Sequence, residues 1–471
     1  MTHIENFETA SIDTLVEGLE ARRWRSVDLV EAALARIEAL DTRGPMLRAV
    51  SFIAADQART AALNSDARRV RGQASGPLEG IPVLVKDNMD VAGWPTTAGS
   101  RALIGLFASR DAEIVGRLRQ AGAVIIGKTA MHELACGITG ASSLTGFARN
   151  PHALDRSPGG SSSGAGVVVA AGYVPLAIGS DSAGSVRIPA AFNHLFGLRA
   201  SRGALPLKGI IPLSPTQDMP GPITRYAADL ERAFAALSGR AYVASSPRPE
   251  LAIGVIDAWF DDNVPTTRYA IAAAARRALG QFEHAGAHCI AIEFDGLREA
   301  VESANVIAYE FATAFAADLA ARPHSRVDSL QTILDHGWHH EQMKSVLTDR
   351  ARHAGPTGRE YRDARARQAR LRERVEHTFV EQGLDVLCYP TLRHPPTTLG
   401  GAQHGSNALL AAVTGLPAIN LPIGFDCDGL PMGLELLARS GDETVLLQAA
   451  RAWADISGEW TVPDAIRCSD P

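Results

Sequence analysis

Two serine-bearing runs carry the chemistry open to this sequence. Ser157-Pro-Gly-Gly-Ser-Ser-Ser-Gly164 sets three consecutive serines beside Gly159 and Gly160, and Gly179-Ser-Asp-Ser-Ala-Gly-Ser185 places small residues just ahead of a serine. A glycine-rich loop opening a helix can cradle phosphate with backbone N–H groups. The phosphate-loop pattern fails here, because Ala165 stands where lysine is required and no GxGxxG register fits. Tight packing of small residues accounts for Val167–Gly172 but not for adjacent hydroxyls, each of which needs a partner when buried. Nucleophilic serine chemistry accounts for both runs. A serine hydroxyl needs a base within hydrogen-bond reach and N–H donors aimed at the developing oxyanion. The tight turn allowed by Ser182-Ala-Gly-Ser185 presents backbone N–H groups beside the Ser185 Oγ. There is no G-x-S-x-G elbow around Ser185, and none of the 14 histidines has a recognisable aspartate partner. Lysine is the known alternative base. Lys86 closes the apolar run Gly80-Ile-Pro-Val-Leu-Val-Lys86, and α/β sites lie beyond the carboxyl ends of strands.

The elements that must position these residues are legible as a pattern. Ser11 and Ser26 are expected to cap two N-terminal helices with apolar faces Leu15, Val16, Leu19 and Leu29, Val30, Ala33, Leu34, Ile37. Beyond Gly80, short β-branched runs at Ile81–Val85 and Ala123–Ile126 alternate with helical stretches such as Ala112–Ala121, which argues for an α/β sheet covered on both faces. Strand-like runs recur at Leu251–Ile256, Cys289–Ile292, Asp385–Tyr389 and Ala418–Ile423, before a closing helix at Glu443–Trp453. One domain over 1–471 is expected: N-terminal helices about 8–65, a core about 70–235 and 385–455, and a largely helical insert about 240–383 covering the site.

Five segments, in order, resemble the amidase signature family: Pro82-Val-Leu-Val-Lys-Asp-Asn88, Gly127-Lys-Thr-Ala-Met-His-Glu-Leu134, Pro158-Gly-Gly-Ser-Ser-Ser-Gly164, Gly179-Ser-Asp-Ser-Ala-Gly-Ser-Val-Arg-Ile-Pro189 and Gly415-Leu-Pro-Ala-Ile419. The resemblance implies an α/β/α sandwich built on a large mixed twisted sheet. It implies Ser185 as nucleophile, Ser161 as a relay serine on a cis peptide bond, and Lys86 as the neutral base. Backbone N–H groups of Ser182, Ala183, Gly184 and Ser185 would form the oxyanion hole, Asp181 and Arg187 would buttress the loop, and Ser162 would serve as hydrogen-bonding scaffold. The family usually has Gly-Gly before the nucleophile; Ala183 departs from that, and its methyl group is expected to narrow the hole. The run Lys128-Thr-Ala-Met-His-Glu-Leu-Ala-Cys-Gly-Ile-Thr139 resembles the branch acting on arylacetamides such as indoleacetamide and mandelamide. Met131, His132, Cys136, Gly137 and Ile138 are therefore expected pocket residues, with Val306, Ile307, Tyr309, Phe311 and Phe315 from the insert.

The implied function is an amidase cleaving the C–N bond of small neutral, aryl-containing amides through a Ser185 acyl-enzyme. The same machinery would serve an anilide or carbamate hydrolase, and also the ammonia-producing subunit of a transfer-RNA amidotransferase complex. No cofactor and no metal are implied: His132 has no second ligand at helical spacing. A net charge of −6 and the mixed signs of the Arg359–Arg374 run give no basic stripe, so no nucleic-acid partner is expected. The five cysteines, Cys136, Cys289, Cys388, Cys427 and Cys468, form no CxxC pair, which fits a reducing cytosol. No signal peptide or membrane span is evident. The expected partner is a small-molecule amide, with a homodimer allowed. No unpaired basic cluster suggests a carboxylate-bearing substrate.

Overall fold

The computed structural model describes residues 4, 6–260, 269–322, 325–353, 355–458 and 460–467; Cys468 lies outside them. Eleven strands form one sheet: β1 (Val50–Ile53), β2 (Pro82–Lys86), β3 (Val124–Thr129), β4 (Leu176–Asp181), β5 (Phe196–Arg199), β6 (Met219–Thr224), β7 (Ala252–Val255), β8 (His288–Ala291), β9 (Val386–Pro390), β10 (Ala418–Phe425) and β11 (Pro431–Leu437). Their spatial order is β1-β3-β2-β4-β6-β5-β10-β11-β9-β7-β8. Two parallel groups, β3-β2-β4 and β9-β7-β8, are joined through antiparallel pairs, so the sheet is mixed. This is the expected α/β/α sandwich, with helices on both faces. Strands buried on both sides read as continuous apolar runs, which is why β2, β3 and β9 were visible in the sequence; β4, whose run ends in Gly179-Ser-Asp181, was not.

The fully buried helix Ser163–Ala170 has no polar face, and its small side chains bring it close to β2, β3 and β4. A Cβ at Gly164 would meet the Ala49 carbonyl oxygen at 2.2 Å, so only glycine fits that approach. Ser11 caps the helix Ile12–Glu20, accepting from Thr14 N–H at 3.1 Å. Ser26 does not cap the next helix. It is the first residue of Ser26–Ile37, and its Oγ donates to the Gly80 carbonyl at 2.8 Å. The free N–H groups of that helix end go to carboxylates instead: Arg25 N–H to Asp28 at 2.8 Å and Ser26 N–H to Asp66 at 2.6 Å. Burial of Ser26 against Gly80 decides the difference.

The range 240–383 is not uniformly helical, since β7 and β8 extend the sheet to its far edge. Ile307, Phe311, Phe315, Leu330, Met343 and Leu347 from its helical part form a second apolar cluster with Ala98, Met131, Leu134, Cys136, Ile211 and Leu213. Half-buried Ala183 packs against that cluster, which brings the helices Ile307–Ala320 and Lys344–Ala351 over the end of β4. Among the described residues no helix is long and apolar enough to cross a membrane.

Candidate active site

β2 and β4 are parallel neighbours, and their carboxyl ends deliver Lys86 and the Ser180–Asp181 pair to one place. Lys86 is fully buried. Its Nζ shares a 2.7 Å hydrogen bond with Ser161 Oγ and donates to the Ser180 carbonyl at 3.2 Å and to Ser180 Oγ at 2.9 Å. Burial pulls the lysine down to about 7, against the opposing fields of Asp181 and Asp218. A neutral amine has two N–H donors and one lone pair. With both donors taken by Ser180, the lone pair is left facing the Ser161 hydroxyl.

The peptide bond between Gly160 and Ser161 is cis. The Ser161 carbonyl accepts from His132 N–H at 2.9 Å, and Ser162 N–H donates to the Ser185 carbonyl at 3.2 Å, tying the two serine runs together. Ser162 Oγ accepts from Ser180 N–H and donates to the Ser180 carbonyl, each at 3.2 Å, so it fixes the end of β4.

The turn after β4 is built around the Asp181 carboxylate. It accepts from Gly184 N–H at 2.8 Å and Val186 N–H at 3.2 Å, and pairs with Arg187 at 3.0 Å and Arg199 at 3.1 Å. Burial would raise this carboxyl, but the two guanidiniums more than offset it and hold it well below the usual range. Arg187 also pairs with Glu435, which accepts from Tyr389 OH at 2.9 Å. The buttress expected from Asp181 and Arg187 thus extends across β4, β5, β11 and β9.

Of the four expected oxyanion donors, Gly184 is the exception. Its N–H is already committed to Asp181. The N–H groups of Ser182, Ala183 and Ser185 donate to no other group among the described residues. Gly184 has φ +111°, and a Cβ there would lie 2.5 Å from the Ala408 Cβ, so glycine is required at this position. Ala183 has no positive φ, and its methyl meets the apolar cluster above the turn, so alanine fits where the family has its other glycine.

Ser182 is held from the other side by groups the sequence reading missed. Its hydroxyl donates to Asp218, whose carboxylate also accepts from Leu213 N–H at 2.9 Å and Ser214 N–H at 3.0 Å. Burial raises Asp218 to about 6. Gln217 donates to the Ser182 carbonyl at 3.0 Å and accepts from Val306 N–H at 3.0 Å and Gln368 Nε2 at 3.2 Å. It therefore joins the turn to two helices of the insert. Ser180 and Asn88 lay inside the quoted motifs without a role. Asn88 Nδ2 donates to Ser180 Oγ at 3.1 Å. Gln217 and Asp218 carry no local signal.

The expected pocket residues divide. His132 is not in a helix: it precedes a tight turn in which Leu134 and Ala135 have φ +52° and +58°. Its Nδ1 accepts from the N–H groups of Thr139, Gly140 and Ala141 at 3.3, 3.1 and 3.2 Å, and Nε2 meets Met343 Sδ at 3.0 Å. Burial, with the fields of His340, Lys86 and Arg350, pulls the ring down to about 3, so it is a neutral clasp for the loop. A Cβ on Gly137 would sit 2.3 Å from the His132 ring. Met131 and Cys136 are buried in the second apolar cluster, and burial pushes the Cys136 thiol up to about 12. Ile138 packs against Ile188, Phe192 and Leu392 instead.

A model of the Amidase family matches residues 28–447. This chain belongs to the amidase signature family. As a member, it is a hydrolase of amide C–N bonds. Similar curated proteins include the glutamyl-tRNA(Gln) amidotransferase subunits A of Anaeromyxobacter sp. (strain K), 32% identical over 92% of this chain and 94% of the relative, and of Myxococcus xanthus, 32% identical over 93% and 95%. Among solved structures, the peptide amidase of Stenotrophomonas maltophilia is 31% identical with a TM-score of 0.86, covering 96% of this chain and 98% of that one. These amidase relatives do not support the arylacetamide branch. They also overturn the expectation of no nucleic-acid partner, because the curated relatives are subunits of an enzyme named for glutamyl-tRNA(Gln). A charge of −6 describes one chain, whereas in a complex the RNA contacts can fall on any subunit.

Proposed function

We propose that Ser185 attacks the carbonyl of a carboxamide, with Ser161 relaying the hydroxyl proton to Lys86. The observation that carries this reading is the buried Lys86 amine at 2.7 Å from Ser161 Oγ, with its other partners on Ser180. The N–H groups of Ser182, Ala183 and Ser185 stabilise the tetrahedral oxyanion. Collapse breaks the C–N bond, and the proton held by Lys86 returns through Ser161 to the departing ammonia or amine. Water then enters, passes a proton through Ser161 to Lys86, and its oxygen attacks the acyl carbon; collapse breaks the ester bond to Ser185, whose Oγ takes the proton back through Ser161 as the acid leaves. The helical part of the insert covers this site.

Whether the chain works alone or within a complex is a second matter. The names of the curated relatives favour the ammonia-producing subunit of a transfer-RNA amidotransferase over a free-standing aryl-amide hydrolase. Likeness to peptide amidase supports hydrolysis by the chain itself. The test is ammonia release by the purified chain from primary amides, compared with Ser185→Ala. Turnover that disappears in Ser185→Ala supports the nucleophile. Equal turnover in both proteins contradicts it. Ammonia release that rises sharply only when partner subunits are added would favour the complex.

A further inference from the structure

The fields of two carboxylates reach Lys86, and their surroundings differ. Asp181 is ion-paired with Arg187 and Arg199 at 3.0 and 3.1 Å. Asp218 precedes β6, the antiparallel neighbour of β4, in a register that brings it beside Ser182. It is buried, and among the described residues its partners are neutral: the Ser182 hydroxyl and the N–H groups of Leu213 and Ser214. The remaining ionisable groups near the amine carry little net charge. His132 and Cys136 are neutral, and Asp87 pairs with Lys128 at 3.6 Å.

Asp218, Ser182, Ser180 and Asn88 line one cavity of about 10 Å³, room for about one water molecule. Little solvent is present there to screen the carboxylate from the amine. Ser180 Oγ accepts from Lys86 Nζ at 2.9 Å and from Asn88 Nδ2 at 3.1 Å, so the wall of this cavity also holds the lysine. Each proton taken from Ser185 turns Lys86 into a buried ammonium ion, which is costly without a nearby opposite charge. Asp181 has two guanidiniums of its own to balance. Asp218 has none.

We propose that Asp218 is a positioning residue for the base: its carboxylate compensates the ammonium that Lys86 becomes when Ser185 gives up its proton. This rests on the Lys86 base of the proposed mechanism. Burial raises Asp218 to about 6, so it is charged where Lys86, at about 7, changes state. A carboxylate near an amine favours the ammonium form, and removing its charge therefore lowers the pH at which Lys86 becomes neutral.

The chain has four lysines, Lys86, Lys128, Lys208 and Lys344, so carbon-13 at the lysine ε position gives few signals. The Lys86 signal is the one absent from Lys86→Ala. Its titration is followed in Ser185→Ala with and without Asp218→Asn, beside the pH dependence of phosphonate labelling in chains that keep Ser185. Asp218→Asn should lower both midpoints by roughly half a unit or more. It should also slow labelling on the plateau several-fold, because a weaker base takes the proton less readily. Asp218→Glu, which keeps the charge, should restore the midpoint in part. A merely structural role would lower the rate and leave the midpoint in place. Where Asp218→Asn fails to fold, the signal in the chain with Asp218 intact decides: it should show a second, smaller step at about 6 as Asp218 takes up its proton. An unmoved midpoint in folded Asp218→Asn, or a single step with Asp218 intact, overturns the proposal. A midpoint shift in the Lys86 signal without any labelling of Ser185 would instead overturn the Ser185 reading and leave the link between Asp218 and Lys86 standing.

Discussion

Lys86 and Arg350 are both basic side chains drawn out of water, and the regions around them treat them in opposite ways. At the ends of β2 and β4, Lys86 meets three oxygen atoms from two neutral serines, and burial leaves it near neutrality at about 7. In the insert, the Arg350 guanidinium has an aromatic face beneath it and a buried NH1 without a hydrogen-bond partner. In the first arrangement burial weakens the hold of the amine on its proton. In the second the guanidinium is set against the aromatic ring with that nitrogen unpartnered. The sheet-end region is also the more heavily cross-linked: Asp181 alone joins the turn to Arg187 and Arg199, while the insert meets that turn through hydrogen bonds to Gln217 and apolar packing on Ala183.

Removing chemistry from the sheet-end region should produce the largest effects. Ser185→Ala and Lys86→Ala should each lower kcat for amide hydrolysis by roughly 10⁴-fold or more, non-additively in the double variant because they act as a unit. Steady-state rates on one primary amide check this, and additive losses would mean the two residues do not share a step. Breaking the buttress comes next. Arg187→Met strands Glu435 and weakens the hold on Asp181, and uncompensated buried charge costs about 3–5 kcal/mol. Urea unfolding should report a loss of that order, with activity falling in the same variant.

The link between the two regions should give a smaller, more selective effect. Gln217→Leu removes the bridge from Ser182 to Val306 and Gln368, and each buried group left unpaired costs about 1–3 kcal/mol. A several-fold fall in kcat with little change in KM is expected, since Ser182 is one of the proposed oxyanion donors. A KM effect alone would place Gln217 with substrate binding. The smallest contrast is within the turn. Gly184→Ala should be severe, because φ +111° and the close Ala408 Cβ exclude a side chain. Ala183→Gly should change kcat only a few-fold, because the methyl faces the apolar cluster. Thermal melts beside kcat separate folding from catalysis in both.

The same contrast explains what could be read from the sequence. The doubly buried strands β2, β3 and β9 announce themselves as apolar runs, and Lys86 and Ser185 sit in motifs whose resemblance to the amidase signature family implies their chemistry. Ser26 was misassigned as a cap because propensity carries no information about Gly80, its partner across the fold. Gln217 and Asp218 were invisible because their roles depend on Ser182, which only the β4–β6 pairing brings near. Arg350 lay among many charged residues of the insert, and what sets it apart is a missing partner, which no sequence pattern records.

The central claim is that Lys86 activates Ser185 as a neutral base. A serine-directed phosphonate, followed by mass spectrometry, reads this without reference to any substrate. Labelling should fall on the peptide containing Ser185, with a rate that rises with pH through a midpoint of about 7 as Lys86 loses its proton. In Lys86→Ala that limb should vanish and the residual rate should be low. Labelling that persists in Ser185→Ala, or a wild-type rate independent of pH between about 5 and 9, would contradict the account.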